Sequence, residues 1–281
     1  MSEKPNSRLV LITGCSSGLG HAAALAFHKA GWRTIASARN VSDLADLAAC
    51  GCKTLQLDVS DEISRRNAVG TIEREHGPIN TLVNNAGYGQ YGPVEEIELK
   101  EVRRAFETNV FALLHLTQLV LPGMRRVRRG RIVNVSSIAG RIAVPGGGIY
   151  HMTKYAIEAM ADALRPEVTP FGVDVVNVLP GPFVSRYREK AIASVPRGNS
   201  GSPYEIYDNN IRCFLQRLMQ PNVFGVMSAE RVAKVVLKAS TVARPRTRYY
   251  VGALAWFSPI VRSFVPDRLV DAYMRWQIPE C

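Results

Sequence analysis

The chain has 281 residues, of which 47% are hydrophobic and 21% are charged, a composition that excludes an intrinsically disordered or disulfide-rich protein. Its length fits one large α/β domain over 1–281 better than two full domains. The net charge of +11 could attract an anionic partner. However, the densest basic patch, Arg125 to Arg131, lies where arginines complement the carbonyls at a helix end, so we expect no nucleic-acid binding.

Strand-like and helical patterns alternate along most of the chain. In chain order the sequence predicts a strand at 8–14, a helix from Gly18 to Ala30, strands at 33–38 and 54–59, a helix from Ile63 to His76, a strand at 79–87, a helix from Lys100 to Met124, a strand at 131–137, a helix from Tyr150 to Phe171, and strands at 173–181 and 248–254. This alternation predicts an α/β fold with a doubly wound parallel sheet, a Rossmann-like three-layer αβα sandwich.

The pattern loosens between residues 182 and 227. This part contains a segment rich in Pro, Gly and Ser, followed by an amphipathic pattern from Tyr204 to Met219. Long loops in compact domains are usually functional or mobile, so we expect a substrate loop or lid at 182–227. A C-terminal extension, 253–281, with a helix from Pro266 to Trp276, would complete a substrate-binding cap.

A glycine-containing turn, Thr13 to Gly20, follows the first strand directly and opens the first helix. Glycines there would let a pyrophosphate approach backbone amides at the positive end of the helix. The spacing of Gly14, Gly18 and Gly20 is not the common G-x-G-x-x-G fingerprint, and a tight turn alone would also explain it. Its place after the first strand favours dinucleotide binding.

Three further strand ends carry candidate cofactor contacts. Arg39 follows the second strand, where an acidic residue would favour NAD; an arginine would pair with the 2′-phosphate of NADP(H), although a surface arginine is the alternative. Asp58 could accept from an adenine amino group, and the segment from Asn84 to Gly87 allows close backbone approach, though each could be an ordinary turn.

Tyr150 and Lys154 are four residues apart and share one helix face. A nearby ammonium favours phenolate, which brings a phenol of pKa about 10 toward the range useful for proton transfer. Such a pair is common by chance and needs further support. Ser137, at the mouth of the preceding strand, could donate to a substrate carbonyl, and Asn109 is an unusual amide inside a helix.

Taken in order, these motifs resemble the short-chain dehydrogenase/reductase family, in its compact single-domain branch, over Arg8 to Ser185. The resemblance implies a catalytic tetrad of Asn109, Ser137, Tyr150 and Lys154, and a homo-oligomer, either a dimer or a tetramer. Pro166 departs from the pattern and predicts a kink in a helix that often pairs subunits in the family. Motifs and resemblance together assign NADP(H) binding to Gly14, Ser16, Ser17, Gly18, Leu19, Gly20, Arg39, Asp58, Val59, Asn85, Ala86, Gly87, Tyr150, Lys154, Pro180, Gly181, Phe183 and Ser185.

The chain end resembles the hydroxysteroid and retinol dehydrogenase-like members, whose substrates are apolar alcohols and ketones. An apolar pocket, or alternatively core and lid packing, would use Phe183, Tyr187, Phe214, Leu215, Leu218, Met219 and Trp256. We therefore expect an NADP(H)-dependent oxidoreductase that moves a hydride between nicotinamide and a secondary ketone or alcohol on a steroid-, retinoid-, acyl- or polyketide-like substrate. The alternative is a non-catalytic NADP-sensing or scaffold protein on the same fold.

The sequence also suggests a cellular location. No positively charged region followed by a long apolar region opens the chain, so we expect no signal peptide and a cytoplasmic protein.

The five cysteines form no CxxC pair and no cluster with histidine, so we expect reduced thiols and no metal. The apolar run from Val251 to Val265 is interrupted and too short to span a bilayer; it could touch a membrane weakly or form a buried wall or lid.

Overall fold

A parallel sheet of seven strands lies at the centre of the computed structural model, which describes residues 8–185, 187–196, 202–218, 220 and 225–277. The strand order is β3-β2-β1-β4-β5-β6-β7. The strands are β1 (Leu9–Ile12), β2 (Arg33–Ala38), β3 (Lys53–Gln56), β4 (Thr81–Asn84), β5 (Gly130–Val135), β6 (Val173–Pro180) and β7 (Arg248–Val251). The order reverses between β1 and β4, which opens a crevice at the carboxyl ends of these strands.

Helices cover both faces of the sheet. The helices are α1 (Gly18–Lys29), α2 (Ala45–Ala49), α3 (Glu62–His76), α4 (Leu99–Phe106), α5 (Ala112–Arg126), α6 (Gly148–Val168), α7 (Tyr187–Ser194), α8 (Glu205–Leu218), α9 (Ala229–Thr241), α10 (Ala253–Phe264) and α11 (Asp267–Gln277). One apolar core lies between the sheet and α1, α2 and α9, and a second lies between the sheet and α3, α5 and α6. The three-layer αβα prediction is confirmed.

Successive strand residues supply the two cores alternately. On β1, Val10 and Ile12 pack into the first core, while Leu9 and Leu11 pack into the second. Side chains of a strand point to opposite faces, so a strand covered on both sides needs an apolar residue at every position. This explains the continuous Val, Ile and Leu runs from which the parallel sheet was predicted.

Several predicted elements have different bounds in the structure, and two of these differences affect the cavity. The third strand ends at Gln56 rather than Val59, so Asp58 lies in the loop beyond it. The helix predicted from Lys100 to Met124 is interrupted by a π-helical turn, Glu107–Phe111, between α4 and α5. Such turns insert one extra residue into a helix and often occur at functional sites.

Pro166 lies in the last turn of α6, and the helix continues through it to Val168. Its missing N–H removes one donor from the helix end only. The Thr169 hydroxyl donates to the carbonyl of Arg165 at 2.7 Å and caps this last turn. The part of α6 that carries Tyr150 and Lys154, about three to four and a half turns earlier, keeps its regular backbone pattern.

The region between β6 and α9 contains α7 and α8, which pack on each other and on the loop after β4. Helix α8 matches the predicted amphipathic segment up to Leu218, and Met219 lies outside the described residues. Beyond β7 the chain forms α10 and α11, one helix more than the sequence predicted. Within the described ranges, no helix is both long enough and apolar enough to cross a membrane.

Candidate active site

A cavity of about 1070 Å³ opens at the carboxyl ends of the strands, at the crevice between β1 and β4. Loops that follow β1, β2, β3, β4, β5 and β6 all contribute to its walls. Every residue predicted to bind the cofactor lines it: Gly14, Ser16, Ser17, Gly18, Leu19, Gly20, Arg39, Asp58, Val59, Asn85, Ala86, Gly87, Tyr150, Lys154, Pro180, Gly181, Phe183 and Ser185. Open α/β sheets bind ligands at this position.

The glycine turn after β1 depends on the absence of side chains at two positions. Gly14 has φ of +71°, and a Cβ there would lie 2.9 Å from the Cα of Ala86. A Cβ on Gly20 would lie 2.2 Å from the carbonyl oxygen of Gly14. These contacts bring the start of α1 close to the loop after β4 and leave backbone facing the cavity.

Thr13 and Asn85 tie the glycine turn to the loop after β4. The backbone N–H groups of Asn85 and Ala86 both donate to the Thr13 hydroxyl at 3.0 Å. In return, the Asn85 amide donates to the carbonyls of Thr13 and Gly14 at 2.8 and 3.1 Å. The two segments therefore form one rigid wall of the cavity.

Arg39 and Asp58 lie together at the outer end of the cavity. Desolvation of the Asp58 carboxyl opposes ionisation, but hydrogen bonds from Ser60 and the charges of Arg39 and Arg65 lower its pKa overall. The buried Arg65 guanidinium donates to the Val59 carbonyl and pairs with Glu107 at 2.8 Å, which fixes this loop. The Asp58 carboxylate is thus kept ionised by the Ser60 hydrogen bonds and the two arginine charges.

The hydroxyl of Tyr150 lies on the opposite side of the cavity, hydrogen-bonded to Ser137 and Tyr187. Burial raises the pKa of Tyr150, and these hydrogen bonds act in the opposite direction. Ser137 ends the segment after β5, and its hydroxyl also accepts from the N–H of Ala139 at 3.1 Å. The two hydroxyls that the sequence singled out therefore converge on one point of the cavity wall.

Lys154 reaches the same region from one helical turn further along α6. Its Nζ donates to the Val135 carbonyl at 2.9 Å and lies 5.7 Å from the centre of the Tyr150 ring. Burial lowers the pKa of Lys154 to about 8, while the negative charge of Glu158 raises it. The ammonium therefore lies beside the Tyr150 ring, while burial and the hydroxyls of Tyr187 and Ser137 shift the pKa of the phenol.

Asn109 lies behind the cavity wall rather than on its surface, and its side chain is buried. Its Oδ1 accepts from the N–H of Tyr88 at 3.0 Å, and its Nδ2 donates to the Tyr88 carbonyl at 2.8 Å and to the Thr153 hydroxyl at 3.1 Å. The π-helical turn brings this amide between α6 and the loop after β4. Asn109 thus joins the two elements that flank Tyr150.

A chain of buried amides crosses three strands and ends on α6. Asn84, Asn134 and Asn177 occupy paired positions on β4, β5 and β6, and each amide donates to the next at 3.0 Å. Asn177 then donates to Glu158 at 2.8 Å, whose other oxygen pairs with Arg248 at 2.7 Å. The carboxylate one turn beyond Lys154 is therefore held in place by the sheet.

Sequence reasoning missed several residues of the site. Tyr91 and Tyr187 both pack against the Tyr150 ring, with centroid distances of 5.6 Å, and their own hydroxyls lie 3.3 Å apart. Tyr187 had been considered only as a pocket wall. His151 is buried beside Tyr150, with its Nδ1 2.9 Å from the carbonyl of Ala139. Tyr91 lies in an irregular loop, where no periodicity could have indicated it.

The deeper part of the cavity is mostly apolar. Phe183, Tyr187, Phe214, Leu215 and Leu218 line it as predicted, and Leu254, Ser258, Tyr273 and Met274 of the two C-terminal helices close its far side. Trp256 does not line the cavity, because α10 turns this side chain outward. Its ring packs against Tyr250, 5.5 Å between centroids, and is half exposed.

Comparison with known proteins agrees with the fold. A family model described as short chain dehydrogenase matches residues 8–195, which is more than half of the chain. The chain belongs to the short-chain dehydrogenase family, a family of oxidoreductases.

Particular relatives cover almost the full length. The 3-ketodihydrosphingosine reductase of Bacteroides thetaiotaomicron is 38% identical over 268 residues, which cover 95% of this chain and 97% of the relative. The NADPH-dependent 3-dehydrocapnine reductase of Ornithobacterium rhinotracheale is 32% identical, covering 94% of this chain and 95% of the relative. The crystal structure of a short-chain dehydrogenase from Streptomyces avermitilis has a TM-score of 0.81 and 30% identity, covering 98% and 97% of the two chains.

Proposed function

We propose that the protein is an NADP(H)-dependent oxidoreductase acting on a secondary ketone or alcohol of an apolar substrate. The observation that carries the proposal is the convergence of the Ser137 and Tyr150 hydroxyls on a cavity whose other end is the glycine turn after β1. One end suits a dinucleotide and the other suits proton transfer to a carbonyl.

The residues present fit a nicotinamide dinucleotide. The turn at Gly14 and Gly20 leaves no room for a Cβ, so its backbone amides can approach a pyrophosphate at the start of α1. Arg39 would pair with a 2′-phosphate, and Asp58 beside it would accept from the adenine amino group. The Ser185 hydroxyl would hold the carboxamide. One relative is named as NADPH-dependent, which supports the same choice.

The chain's own groups would perform the proton chemistry, while the nicotinamide supplies or accepts the hydride when bound. Ser137 donates to the substrate carbonyl and orients it. Tyr150 gives its phenol proton to the developing alkoxide, and the Lys154 ammonium stabilises the phenolate that remains. Asn109 is a positioning residue that fixes the loop at Tyr88 and, through Thr153, the start of α6.

The apolar wall supports an apolar substrate. Tyr187, Phe214, Leu215 and Leu218 pack together or line the cavity near Tyr150 and make this part of its wall largely apolar. This suits a carbonyl attached to a steroid-, retinoid-, acyl- or polyketide-like body. The named reductase of 3-ketodihydrosphingosine, a ketone, supports reduction as the direction.

A screen of NADPH consumption over such ketones, followed by Tyr150→Phe on the best substrate, tests the proposal. Loss of the phenol should reduce kcat by about 10³-fold while the Kd for NADPH, measured by calorimetry, stays unchanged. Tyr155→Phe, on the same helix but exposed, is the matched control. Unchanged turnover in Tyr150→Phe, or NADPH binding without turnover of any ketone, would favour the alternative of a non-catalytic sensor or scaffold.

Cellular location and assembly complete the proposal. Cys15, Cys50, Cys52 and Cys213 are free thiols, which suits the reducing cytoplasm, where we place the protein. Met152 and Tyr155 are exposed on the outer face of α6, and we propose that this face joins subunits into a homodimer or tetramer. Light scattering of Tyr155→Glu against wild type tests this contact, since a buried charge would weaken it.

A further inference from the structure

Helix α10 exposes most of its apolar side chains to solvent. A helix that packs only against its own domain would turn them inward. Phe257, Ile260, Val261 and Phe264 follow helical spacing and are 66%, 50%, 55% and 83% exposed. The side that faces the domain has one buried residue, Ala255, together with the cavity-lining Ser258. Exposed apolar side chains contribute no hydrophobic stabilisation unless another apolar surface or a lipid phase covers them.

Helix α11 extends the same exposed surface. None of its side chains over 267–276 is buried, and Leu269, Tyr273 and Trp276 are 62%, 56% and 74% exposed. An isolated helix of 11 residues is marginal in water, so α11 needs more support than its own backbone provides. We name the exposed apolar surface of both helices the C-terminal plate: Trp256, Phe257, Ile260, Val261, Phe264, Leu269, Tyr273 and Trp276.

Basic groups are interleaved with the plate. Arg262, Arg268 and Arg275 lie on the two helices, and Arg141 lies close by, since its charge and that of Arg262 both act on Tyr155. Two acidic residues, Asp267 and Asp271, oppose them, and Arg262 pairs with Asp267. The local balance is therefore positive, as is the net charge of +11 for the chain. Exposed Trp, Tyr and Phe next to arginines suit the headgroup region of an anionic bilayer.

The plate is continuous with the cavity. Leu254 and Ser258 of α10 and Tyr273 and Met274 of α11 line the far side of the cavity. These residues belong to the same helices as the plate, and Tyr273 is part of both the plate and the cavity lining. A protein that lay on lipid through the plate would therefore hold the side of the cavity lined by α10 and α11 next to the lipid.

We propose that the C-terminal plate docks the protein onto the surface of an anionic lipid bilayer and turns the side of the cavity lined by α10 and α11 toward the lipid. The docking itself does not rest on the proposed function. The entry of an apolar substrate directly from the bilayer, which the docking would allow, rests on the proposed function.

The test compares two triple variants in sedimentation with vesicles. Phe257→Ser, Phe264→Ser and Trp276→Ser together remove the centre of the plate without changing a cavity-lining residue. The control, Ile63→Ser, Val94→Ser and Leu99→Ser, removes three side chains of similar exposure (63–68%) elsewhere on the surface. Vesicles contain phosphatidylcholine alone, or phosphatidylcholine and phosphatidylglycerol in equal parts.

Wild type and the control should sediment with the anionic vesicles, and the plate variant should bind at least roughly tenfold more weakly. Tryptophan emission should shift to shorter wavelength on binding, because Trp256 and Trp276 are exposed whereas Trp32 is buried. Added salt and neutral vesicles should both weaken binding. Wild type that stays in the supernatant, or a plate variant that binds as wild type does, would overturn the proposal.

A second copy of the chain is the competing occupant. If light scattering without lipid shows an oligomer that the plate variant alone abolishes, the plate is a subunit contact and the proposal is wrong. Turnover of a water-soluble ketone should be the same in the plate variant and wild type. A protein that turns over no ketone would contradict the proposed function and leave vesicle binding unaffected, so the two failures are distinguishable.

Discussion

Tyr187 donates a hydrogen bond to the hydroxyl of Tyr150, and the two rings pack 5.6 Å apart at an angle of 55°. Tyr187 is the first residue of α7, so a helix from the region between β6 and α9 reaches directly to the proposed proton donor. Because a hydrogen bond to the phenolate form stabilises it, Tyr187 lowers the pKa of Tyr150 against the effect of burial.

We therefore predict that Tyr187→Phe raises the pKa of Tyr150. In the direction of alcohol oxidation Tyr150 must act as a base, so the pH at which kcat/KM reaches half its maximum should move upward. Tyr91→Phe is the control. Tyr91 also packs on the Tyr150 ring, but its hydroxyl lies 3.3 Å from that of Tyr187. An equal upward shift in both variants would mean that loss of any neighbouring phenol hydroxyl, and not of the hydrogen bond to Tyr150 in particular, is responsible.

Glu158→Gln should shift the pH dependence of ketone reduction to lower pH. The pKa of Lys154 is about 8, lowered by burial and raised by Glu158. Without the carboxylate the ammonium loses its proton at lower pH, so the fall of kcat/KM on the alkaline side should begin earlier. Asp162→Asn, which removes the other partner of Arg248, should leave the profile in place. A profile that is the same in Glu158→Gln as in wild type would contradict the coupling.

Arg39→Ala should reduce the preference for NADPH over NADH. A charged hydrogen bond to a 2′-phosphate contributes about 1.5–3 kcal/mol, so the ratio of kcat/KM values for the two cofactors should fall by roughly tenfold or more. Lys29→Ala removes one charge from an exposed position outside the cavity and should leave the ratio unchanged. A wild-type ratio below one would overturn the cofactor assignment.

Asn134→Ala should lower the free energy of unfolding by about 3 kcal/mol, because Asn134 is the central member of the amide chain. The Asn177 oxygen would lose its donor, and the Asn84 amide would keep only its longer contact to Thr117 at 3.3 Å. Ser240→Ala, equally buried but with a single bond to the Val236 carbonyl, should cost about 1 kcal/mol. Urea unfolding measures both, and equal losses would mean that the amides act independently.

The parallel sheet and the cavity-lining loops could be predicted from the sequence because each depends on local signals. Continuous Val, Ile and Leu runs indicate strands covered on both sides, and a glycine turn after β1 indicates a phosphate loop. The amide chain could not be predicted, since Asn84, Asn134 and Asn177 come together only through strand register.

The effect of Tyr187 and the direction of Trp256 were also beyond the sequence. The sequence indicated Lys154 as the group that lowers the pKa of Tyr150, whereas the structure adds two hydroxyls, those of Ser137 and Tyr187. Which side of α10 meets the domain depends on how β7 ends, and an amphipathic pattern alone would have placed the apolar side inward.

The π-helical turn at Glu107–Phe111 makes the position of Asn109 depend on the number of residues and not only on their identity. Deleting one residue between Phe106 and Ala112 would allow a regular helix in which α4 and α5 keep their faces, but the residues inside the turn would be displaced. The Asn109 amide would then leave Tyr88 and Thr153, although all four residues of the tetrad would still be present. A homologue that keeps every motif but is one residue shorter here would therefore be a candidate for lost activity.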